Sequence, residues 1–532
     1  MNPPVSGTRD AWRTFADAAA PTLAAWQRML DDPAATQRQR LAQILDTNRD
    51  TAFGRAHGFA QIADAAQYRE RVPVHSYAEL EPWIERAQRD TQPVLTAQPP
   101  LFFERTSGNS AQQKRIPYTA AFLGELQHAL TIWLADLYRR VPEIGEGRAY
   151  WSMSPPLQAP GRAPNGIPIG SESDFAYLDG SIVAGLAATL IVPRLTSDAG
   201  DDTSAWRRQT LLALIEAADL AFISVWSPTF LTSLLRPLFD ADDPTHRDTL
   251  AWLDAALPAP RRAALRHALE AGSCDALWPR LAAVSCWMDG PSRDYAATLQ
   301  ARFPQARWLP KSLFATEAIV SMPFGDDAGC PLAVAGHYFE CIFDDGTVRE
   351  THELAPGDIV QIVVTTGGGL YRYALGDRVR VVGMTGRTPR IEFVGRVGAH
   401  SDLVGEKLDE AGVAAVLAAC VAAGDSACLV PCAAADPPHY VLLVASEVPC
   451  DRDALSVAVD SGLARSFHYA HARRFAQLGP VRVRHLAGSP ARLADLLQQA
   501  AEQTGMRAGD VKPRALVNRL VTADALLALT QR

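Results

Sequence analysis

Lysine is scarce in this sequence. The 532 residues contain 51 lysines and arginines together, and only four of them are lysines. Because arginine serves here wherever a general surface cation is needed, a surviving lysine can mark a position that requires a compact ammonium group. The positions to follow are Lys114, Lys311, Lys407 and Lys512.

The sequence also lacks the features of membrane, secreted and nucleic-acid-binding proteins. No run approaches the roughly 18 apolar residues of a membrane span, and the N-terminus has no basic segment followed by an apolar one. The net charge of -8 leaves no basic excess for binding phosphate backbones. We therefore expect a cytoplasmic monomer whose partners are small molecules, with neither a membrane nor a nucleic acid among them.

The eight cysteines form neither a metal-binding nor a disulfide pattern. They include no CxxC pair, and no histidines stand at ligand spacing from them. This argues against a structural zinc site and against a disulfide framework. Free cysteines are commonly buried, and we expect buried thiols here.

The length and periodicity of the chain predict a large α/β protein. A chain of 532 residues can form two to four domains, each with its own core. Apolar residues recur at three- and four-residue spacing, which predicts helices at 8–30, 34–47, 78–88, 119–140, 204–217 and 259–271. Between them stand short apolar runs typical of strands: RAYWSM (148–153), LAFISVW (220–226), AAVSCWM (282–288) and RWLPKSLF (307–314). This alternation indicates a layered α/β domain with a mostly parallel sheet, in which ligands bind at the carboxyl ends of the strands.

The texture of the sequence changes in its C-terminal part. After about residue 330 it becomes strand-rich, with glycine- and aspartate-containing turns, which predicts a β-rich subdomain attached to the α/β body. From about residue 399 helices and strands mix, ending in a predicted strand at 514–521. We therefore expect a large N-terminal domain at 1–398 and a small, mobile α+β domain at 399–532, joined by a hinge at 395–405.

The first candidate binding segment is FFERTSGNSAQQKRIPYT at 102–119. Hydroxyls, backbone N–H groups and one ammonium in a short stretch can bind a polyphosphate through charge-assisted hydrogen bonds. The spacing of a Walker loop is absent, and a polar turn that caps the next helix is the alternative interpretation. The candidate residues are Thr106, Ser107, Gly108, Asn109, Ser110 and Lys114.

The second candidate segment is LPKSLFATEAIVSMPF at 309–324, with Phe314, Ala315, Thr316 and Glu317 at its centre. An aromatic face can stack on a base, and a hydroxyl can contact phosphoryl oxygens. A single carboxylate can hold Mg²⁺ together with substrate phosphates. The alternative for Glu317 is a carboxylate at a helix N-terminus.

The third candidate segment is GGGLYRYALGDRVRVVG at 367–383, where Tyr371 belongs to an aromatic-Arg-aromatic strand ahead of Asp377. An aspartate that follows a strand can accept hydrogen bonds from both hydroxyls of a ribose. In the alternative interpretation Asp377 is a turn residue paired with Arg378 or Arg380.

Two basic residues complete the series of motifs: Arg396 at the predicted domain junction and Lys512 before the last predicted strand. The order of phosphate loop, aromatic-x-Thr-Glu, ribose aspartate, Gly-Arg hinge and C-terminal lysine resembles that of the adenylate-forming superfamily. Within it the resemblance is closest to the Gretchen Hagen 3 acyl acid amido synthetases, whose blocks are similar to ISVWSPTFL, SCWMDGPS, GHYFECI and GEKLDE here. The similarity spans about residues 100 to 515 and includes all four lysines.

The resemblance implies ATP and Mg²⁺ as cofactors. It also implies a nucleotide site that is assembled from all five motifs, with Lys512, Glu317 and Arg396 as the catalytic residues. The implied roles are phosphate binding for Thr106, Ser107 and Ser110, adenine and α-phosphate contacts for Phe314 and Thr316, ribose binding for Asp377, and metal binding for Glu317.

The resemblance also implies a pocket for a small carboxylic acid, with an amine or amino acid as the second partner. The acid is expected near Phe222, Trp226 and Ser227, which are core residues in the alternative interpretation. One departure concerns the phosphate loop, which has Asn109 in place of a hydroxyl residue and Ala111 in place of a second glycine. Because asparagine can still donate hydrogen bonds, we expect altered affinity and retained activity.

The implied reaction is ATP-driven amide formation. A carboxylate oxygen attacks the α-phosphate, pyrophosphate leaves, and the acyl-adenylate passes its acyl group to an amine. The main alternative is a ligase of the same superfamily that forms a thioester with coenzyme A or a carrier protein. The second alternative is a catalytically silent protein that binds the acid.

Overall fold

The structure, a computed structural model, describes most of the chain in two compact units. The described residues are 5–105, 114–152, 161–170, 182–193, 203–226, 228–241, 243, 245–289, 296–297, 299–396, 400–488, 491–504, 515–518 and 520–530. The first unit comprises Met1–Thr106 and Arg115–Gly395, and the second comprises Ser107–Lys114 and Arg396–Arg532.

The first unit combines long helices with parallel and antiparallel sheets. Its described helices are α1 (Val5–Asp31), α2 (Pro33–Asn48), α3 (Ala52–Ala56), α4 (Ala65–Arg71), α5 (Tyr77–Arg89), α6 (Ala120–Arg140), α7 (Thr203–Glu216), α8 (Pro228–Phe239), α9 (His246–Ala256) and α10 (Ala259–Ala271). Its strands are β1 (Phe102–Arg105), β2 (Arg115–Tyr118), β3 (Arg148–Trp151), β4 (Gly161–Arg162), β5 (Pro168–Ile169), β6 (Leu220–Ser224), β7 (Ala283–Cys286), β8 (Arg307–Pro310), β9 (Cys330–Pro331), β10 (Tyr338–Ile342), β11 (Val348–Glu350), β12 (Ile359–Thr365), β13 (Tyr373–Thr385) and β14 (Thr388–Arg396).

A parallel sheet with the strand order β3-β6-β7-β8 forms the centre of the α/β layer. All residues of β6 are buried, as expected for a strand that is covered on both faces. On one face, Phe222, Ala283 and Leu309 share a hydrophobic core with Trp133 of α6 and with residues of α1. The layered α/β fold that the sequence predicts is therefore confirmed.

A six-stranded sheet with the order β11-β10-β12-β13-β14-β9 forms the β-rich part of the first unit. Strand β10 pairs antiparallel with β11 and β12, and β12 pairs antiparallel with β13. The register of β12 against β13 shifts between Gln361 and Val363, so that β13 carries a bulge. A smaller sheet has the order β2-β1-β5-β4. The predicted change to strand-rich sequence after about residue 330 is confirmed.

The second unit is a small mixed α/β body. Its described strands are β15 (His400–Ser401), β16 (Leu408–Asp409), β17 (Ser426–Cys432), β18 (His439–Ser446) and β19 (Arg482–Ala487), and its described helices are α11 (Glu410–Cys420), α12 (Arg452–Leu463), α13 (Phe467–Arg474), α14 (Ala491–Gln503) and α15 (Leu520–Leu529). Strand β18 pairs antiparallel with β17 and parallel with β19. In the ranges that the structure describes, no helix of the chain is long and apolar enough to cross a membrane.

The predicted final strand at 514–521 is too long. Among the described residues of that stretch, Leu516 forms an isolated bridge with Leu429, and α15 begins at Leu520. The alanines and leucines of Leu520–Leu529 are strong helix formers, and their local preference extends into the stretch that the apolar pattern alone assigned to a strand.

Candidate functional site

Several predicted site residues lie outside the described residues. They are Thr106, Ser107, Gly108, Asn109, Ser110, Ser227 and Lys512. On either side of the segment that contains Thr106 to Ser110, Arg105 of β1 is the strand-register partner of Arg115 of β2. Half-buried Lys114 directly precedes β2. The backbone of Arg396 ends β14. The roles of these residues stay predictions from the sequence.

The aromatic-x-Thr-Glu motif forms a tight turn after the parallel sheet. Strand β8 ends at Pro310, so the predicted strand 307–314 is too long. The N–H of Phe314 donates to the carbonyl of Ser312 at 2.9 Å, and the N–H of Ala315 donates to the carbonyl of Ala318 at 2.9 Å. Both bonds turn the chain back on itself. Phe314 and Glu317 are half-buried, which leaves them within reach of a ligand.

A buried polar cluster holds this turn and the glycine turn before β13. Glu125 of α6 pairs with Arg40 and accepts the N–H of Gly367 at 3.1 Å. His337 Nε2 accepts the N–H of Ile319 at 3.0 Å, and its Nδ1 lies 2.9 Å from Glu125 Oε2. Burial lowers the pKa of His337 to about 3, so the ring is neutral. The cluster therefore ties both candidate segments to one helix.

Asp377 lies in the bulge of β13 and is 1% exposed. Gly376 precedes it with φ of 80°, a left-handed conformation that favours glycine and lets the chain form the bulge. The neighbouring Arg378 pairs with Asp344 at 2.6 Å. The ion pair described for Arg378 is therefore with Asp344, in the turn between β10 and β11. The role of Asp377 in ribose binding stays a prediction from the sequence.

Tyr371 and Arg372 of the same motif are held inside the first unit. The Tyr371 ring stacks on Phe53 at 4.7 Å, its hydroxyl donates to the carbonyl of Leu95 at 2.6 Å, and the residue is 0% exposed. Burial raises the pKa of its hydroxyl well above the usual value. Arg372 has φ of 44° and donates from Nε to Glu340 Oε2 at 2.7 Å. These contacts hold both side chains in the interior of the first unit. They give Tyr371 a structural role, although the sequence motif predicts that it binds the nucleotide.

The two described residues of the expected acyl pocket differ sharply in exposure. Phe222 is 2% exposed and belongs to the core beneath the parallel sheet. Trp226, two residues beyond the end of β6, is 51% exposed, and its ring lies 6.4 Å from that of Phe314. The alternative interpretation as a core residue therefore fits Phe222, whereas Trp226 is available to a ligand.

Lys311, to which the sequence assigned no role, lies at the centre of this region. Its ammonium is 4.1 Å from the ring of Trp226 and 5.7 Å from the ring of Trp133, and the residue is 4% exposed. Burial lowers its pKa to about 7, while the nearby Cys286 thiol acts in the opposite direction. The scarcity of lysine was the signal that could have identified this position.

A small cavity lies beside this edge of the sheet. It has a volume of about 170 Å³ and is lined among others by Pro310, Lys311, Ser312 and Leu313. Ligand pockets typically measure about 300–1,000 Å³. The cavity therefore has room for part of a small ligand, directly before the turn that carries Phe314.

The donor set fits a magnesium ion that is bound mainly by a substrate. Among the described residues there is no group of three or more histidine, cysteine, aspartate or glutamate side chains that could hold a metal ion. Glu317 is half-buried and offers one carboxylate. Mg²⁺ is commonly bound by one or two carboxylates with substrate phosphates and water, so a single accessible carboxylate is sufficient.

Comparison with known proteins identifies the family. A model of the GH3 family N-terminal domain matches residues 22–307, and a model of the GH3 family central domain matches residues 330–396. A probable indole-3-acetic acid-amido synthetase, GH3.12, of Oryza sativa subsp. japonica is 25% identical over 456 residues, which cover 70% of this chain and 71% of that protein. The indole-3-acetic acid-amido synthetase GH3.8 of Oryza sativa subsp. indica is 24% identical over 424 residues, covering 71% of this chain and 68% of that protein.

Solved structures share the fold at low sequence identity. The acyl acid amido synthetase AtGH3.15 in complex with 2,4-DB matches with a TM-score of 0.61 and 18% identity, covering 96% of each chain. A 2-hydroxyisobutyryl-CoA ligase in complex with 2-HIB-AMP and CoA matches with a TM-score of 0.50 and 13% identity, covering 95% of this chain and 94% of that chain. The resemblance drawn from the motifs is confirmed: the chain belongs to the GH3 family.

Proposed function

We propose that this protein is an ATP-dependent, AMP-forming acyl acid amido synthetase. The proposal rests on one observation: the turn with the nucleotide motif and an exposed aromatic side chain lie close together at the carboxyl edge of the parallel sheet. Half-buried Phe314 and Glu317 lie on a turn there, and exposed Trp226 lies within 6.4 Å of the Phe314 ring. A nucleotide motif beside an aromatic surface supports the joining of ATP to a small carboxylic acid.

The nucleotide is assigned to the described motif residues and to the segment between β1 and β2. Phe314, Ala315 and Thr316 border the adenine and the α-phosphate, and Asp377 accepts hydrogen bonds from the ribose. Glu317 holds Mg²⁺, which neutralises charge on the phosphates when it is bound. The phosphate oxygens are assigned to Thr106, Ser107, Gly108, Asn109, Ser110 and Lys114.

The chemistry proceeds in two half-reactions. A carboxylate oxygen of the acid forms a bond to the α-phosphorus of ATP, and the bond to pyrophosphate breaks. The nitrogen of an amine or amino acid then forms a bond to the acyl carbon, AMP leaves with the electron pair of the anhydride bond, and the amine gives up a proton. The first step builds charge on the α-phosphate and pyrophosphate, and we assign its neutralisation to the ammonium of Lys512 with Arg396.

The proposal is tested by acid-dependent pyrophosphate exchange into ATP. Purified protein is incubated with ATP, Mg²⁺ and labelled pyrophosphate against an array of small aromatic and aliphatic acids. We expect exchange with at least one acid, and we expect it to be lost in Glu317→Ala. An array without any acid-dependent exchange would contradict the proposal.

The role of Lys512 is tested by separating the half-reactions. Removing one preorganised charge that stabilises a transition state typically costs about 2.7–4 kcal/mol, or about 100- to 1,000-fold in rate. We expect Lys512→Ala to slow pyrophosphate release by this factor and to leave acyl transfer from preformed acyl-adenylate nearly unchanged. Arg507→Ala removes a cation from the same stretch and serves as the control. Equal losses in both half-reactions would refute the role.

The alternative is a thioester-forming ligase. The coenzyme A ligase named above has the same fold, and fold alone does not select the acceptor. Coenzyme A and amino acids offered to the same adenylate separate the two functions, because they give products of different mass.

A further inference from the structure

We propose that Lys311 binds the carboxylate of the acyl acid, with Ser224 and Ser285 beside it on the same face of the parallel sheet. The inference rests on the proposed function, since it names the acid-binding group of that site. Among the described residues, it assigns a role to the one lysine whose ammonium lies near two indole rings.

Strand register brings these residues together. Ser224 of β6 pairs with Ser285 of β7, and Ser285 pairs with Leu309 of β8. Lys311 follows Leu309 by two residues, and its N–H donates to the carbonyl of Cys286 at 2.7 Å, which continues the ladder. Side chains two residues apart in a strand point to the same face. The ammonium and both hydroxyls therefore lie on one face at the carboxyl ends of adjacent strands, where α/β sheets bind ligands.

The two serine hydroxyls are buried without hydrogen-bond partners in the part of the chain that the structure describes. Ser224 and Ser285 are 0% exposed, and neither hydroxyl has a hydrogen-bond partner there. The contacts described for the Lys311 ammonium are with aromatic rings. Buried polar atoms are nearly always hydrogen-bonded, so two unpaired hydroxyls near a buried ammonium require an explanation. A bound carboxylate offers acceptors both to the ammonium and to nearby hydroxyls.

The surrounding rings suit the organic part of an acid. Trp226 covers the ammonium on the solvent side and is 51% exposed, and Phe314 lies next to it. The ring centroid of Trp133 of α6 lies 5.7 Å from the same ammonium. A flat organic group can lie against Trp226 and Phe314 while its carboxylate faces Lys311. The carboxylate is then close to the turn that carries the nucleotide motif.

The titratable groups around Lys311 do not supply the missing anion. Cys286 of β7 is the neighbour that acts on it, and burial raises the pKa of that thiol to about 12, so it is uncharged. Asp289, Cys330 and Glu392 line the adjoining cavity together with Lys311. The Asp289 carboxylate accepts the N–H of Phe393 at 3.2 Å. Neither described carboxylate forms an ion pair with the ammonium.

Binding of an anion is therefore coupled to the protonation of Lys311. Burial lowers its pKa to about 7, and a bound carboxylate favours the charged form and raises it again. Above pH 7 the acid must recruit a proton as it binds. With a pKa of about 7 in the free protein, linkage predicts affinity about 30-fold weaker at pH 8.5 than at pH 6.

The experiment uses the small number of lysines. Selective labelling with ¹³Cε-lysine gives four side-chain signals, and Lys311→Arg identifies one of them by its loss. The full chain is titrated between pH 6 and 10 with Mg²⁺ and α,β-methylene-ATP, with and without benzoate, phenylacetate or indole-3-acetate. Binding is measured in parallel for Lys311→Met, Lys311→Arg and the control Arg307→Met. Arg307 begins β8, the strand that directly precedes Lys311, and it pairs with Asp326 at the surface.

We expect the Lys311 signal to titrate near pH 7 without an acid and above pH 9 with a bound acid. Lys311→Met should weaken acid binding at pH 6 by about 30-fold or more, as expected for the loss of one partner of a buried charge pair. The Lys311→Arg protein should bind the acid with an affinity that does not decline between pH 6 and 8.5. If Lys311 were merely structural, this substitution would not change the pH dependence of acid binding. Arg307→Met should behave as the unmodified chain.

Three results would overturn the inference: none of the three acids binds the unmodified chain, a bound acid leaves the Lys311 titration unchanged, or Lys311→Met keeps full affinity. Pyrophosphate exchange, run on the same protein variants with ATP in place of the methylene analogue, separates this inference from the proposed function. Exchange and acid affinity retained in Lys311→Met refute the role of Lys311 alone. Acid binding through Lys311 without exchange refutes the synthetase function alone.

Discussion

Replacing Arg372 by methionine tests whether part of the LYRYALGD motif serves the fold. The guanidinium donates to Glu340 Oε2 at 2.7 Å and to Oε1 at 3.2 Å, and it also donates to the carbonyls of Val72 at 2.7 Å and Arg69 at 3.2 Å. Arg372 is 4% exposed and Glu340 is 1% exposed. The substitution therefore leaves a buried carboxylate with Arg69 as its remaining described cation and removes the donor to two carbonyls.

The magnitude follows from the burial of the pair. Removing one partner of a buried, hydrogen-bonded ion pair destabilises a protein by about 3–5 kcal/mol. Arg378→Met removes an arginine from the same sheet, and its partner Asp344 is 82% exposed. An exposed pair contributes about 0–1 kcal/mol, so this variant is the matched control.

Hydrogen exchange is the assay, because a chain of two units need not unfold in a single two-state step. We expect Arg372→Met to lower the opening free energy of amides in β10, β12 and β13 by about 3–5 kcal/mol, and we expect the control to change it by less than about 1 kcal/mol. The affinity of the surviving folded protein for ATP should change little. Unchanged protection together with a large loss of ATP affinity would refute the structural role and place Arg372 in the nucleotide site.

Two further predictions concern buried titratable groups. The pKa of Lys311 is lowered to about 7, so the protonated side chain destabilises the folded state. This loss of folding stability is complete below pH 7 and disappears as the pH rises to 10.5. Lys311→Met should therefore stabilise the first unit by at most about 4–5 kcal/mol at pH 6, and thermal melting should show this gain shrinking towards pH 10.5. The pKa of Glu406 is raised to about 7, chiefly by burial, so the second unit should lose at most about 3 kcal/mol of stability as the pH rises from 4.5 to 7. Glu406→Gln should abolish this pH dependence, measured by chemical unfolding that is followed by hydrogen exchange. If the unfolding free energy of the variant still falls with pH, another group causes the dependence.

The strands of the parallel sheet could be predicted because their signal is local. Each is a short apolar run between helical patterns, and β6 and β7 lie within the predicted runs. The run at β8 misleads, because RWLPKSLF ends in apolar Leu313 and Phe314 although the strand ends at Pro310. A hydrogen bond from Phe314 to Ser312 turns the chain there, and apolar composition alone does not reveal that turn.

The candidate site was only partly predictable because its contacts are not local. Phe222 and Trp226 are four residues apart, so a continuous strand would place both side chains on the same face. Phe222 is nevertheless buried in the core, whereas Trp226 is exposed. What separates them is where β6 ends, which the neighbouring strands determine. The scarcity of lysine marked Lys311, but its burial depends on Trp133 of α6, and that packing is not visible in the sequence.

The central claim, that an acyl-adenylate passes its acyl group to an amine, is tested most directly by one competition reaction. The protein is incubated with ATP, Mg²⁺, an acid that supports pyrophosphate exchange, a mixture of amino acids and coenzyme A, and the products are identified by mass. The account predicts pyrophosphate, AMP and an acyl amide of at least one amino acid. A coenzyme A thioester formed without any amide would contradict it.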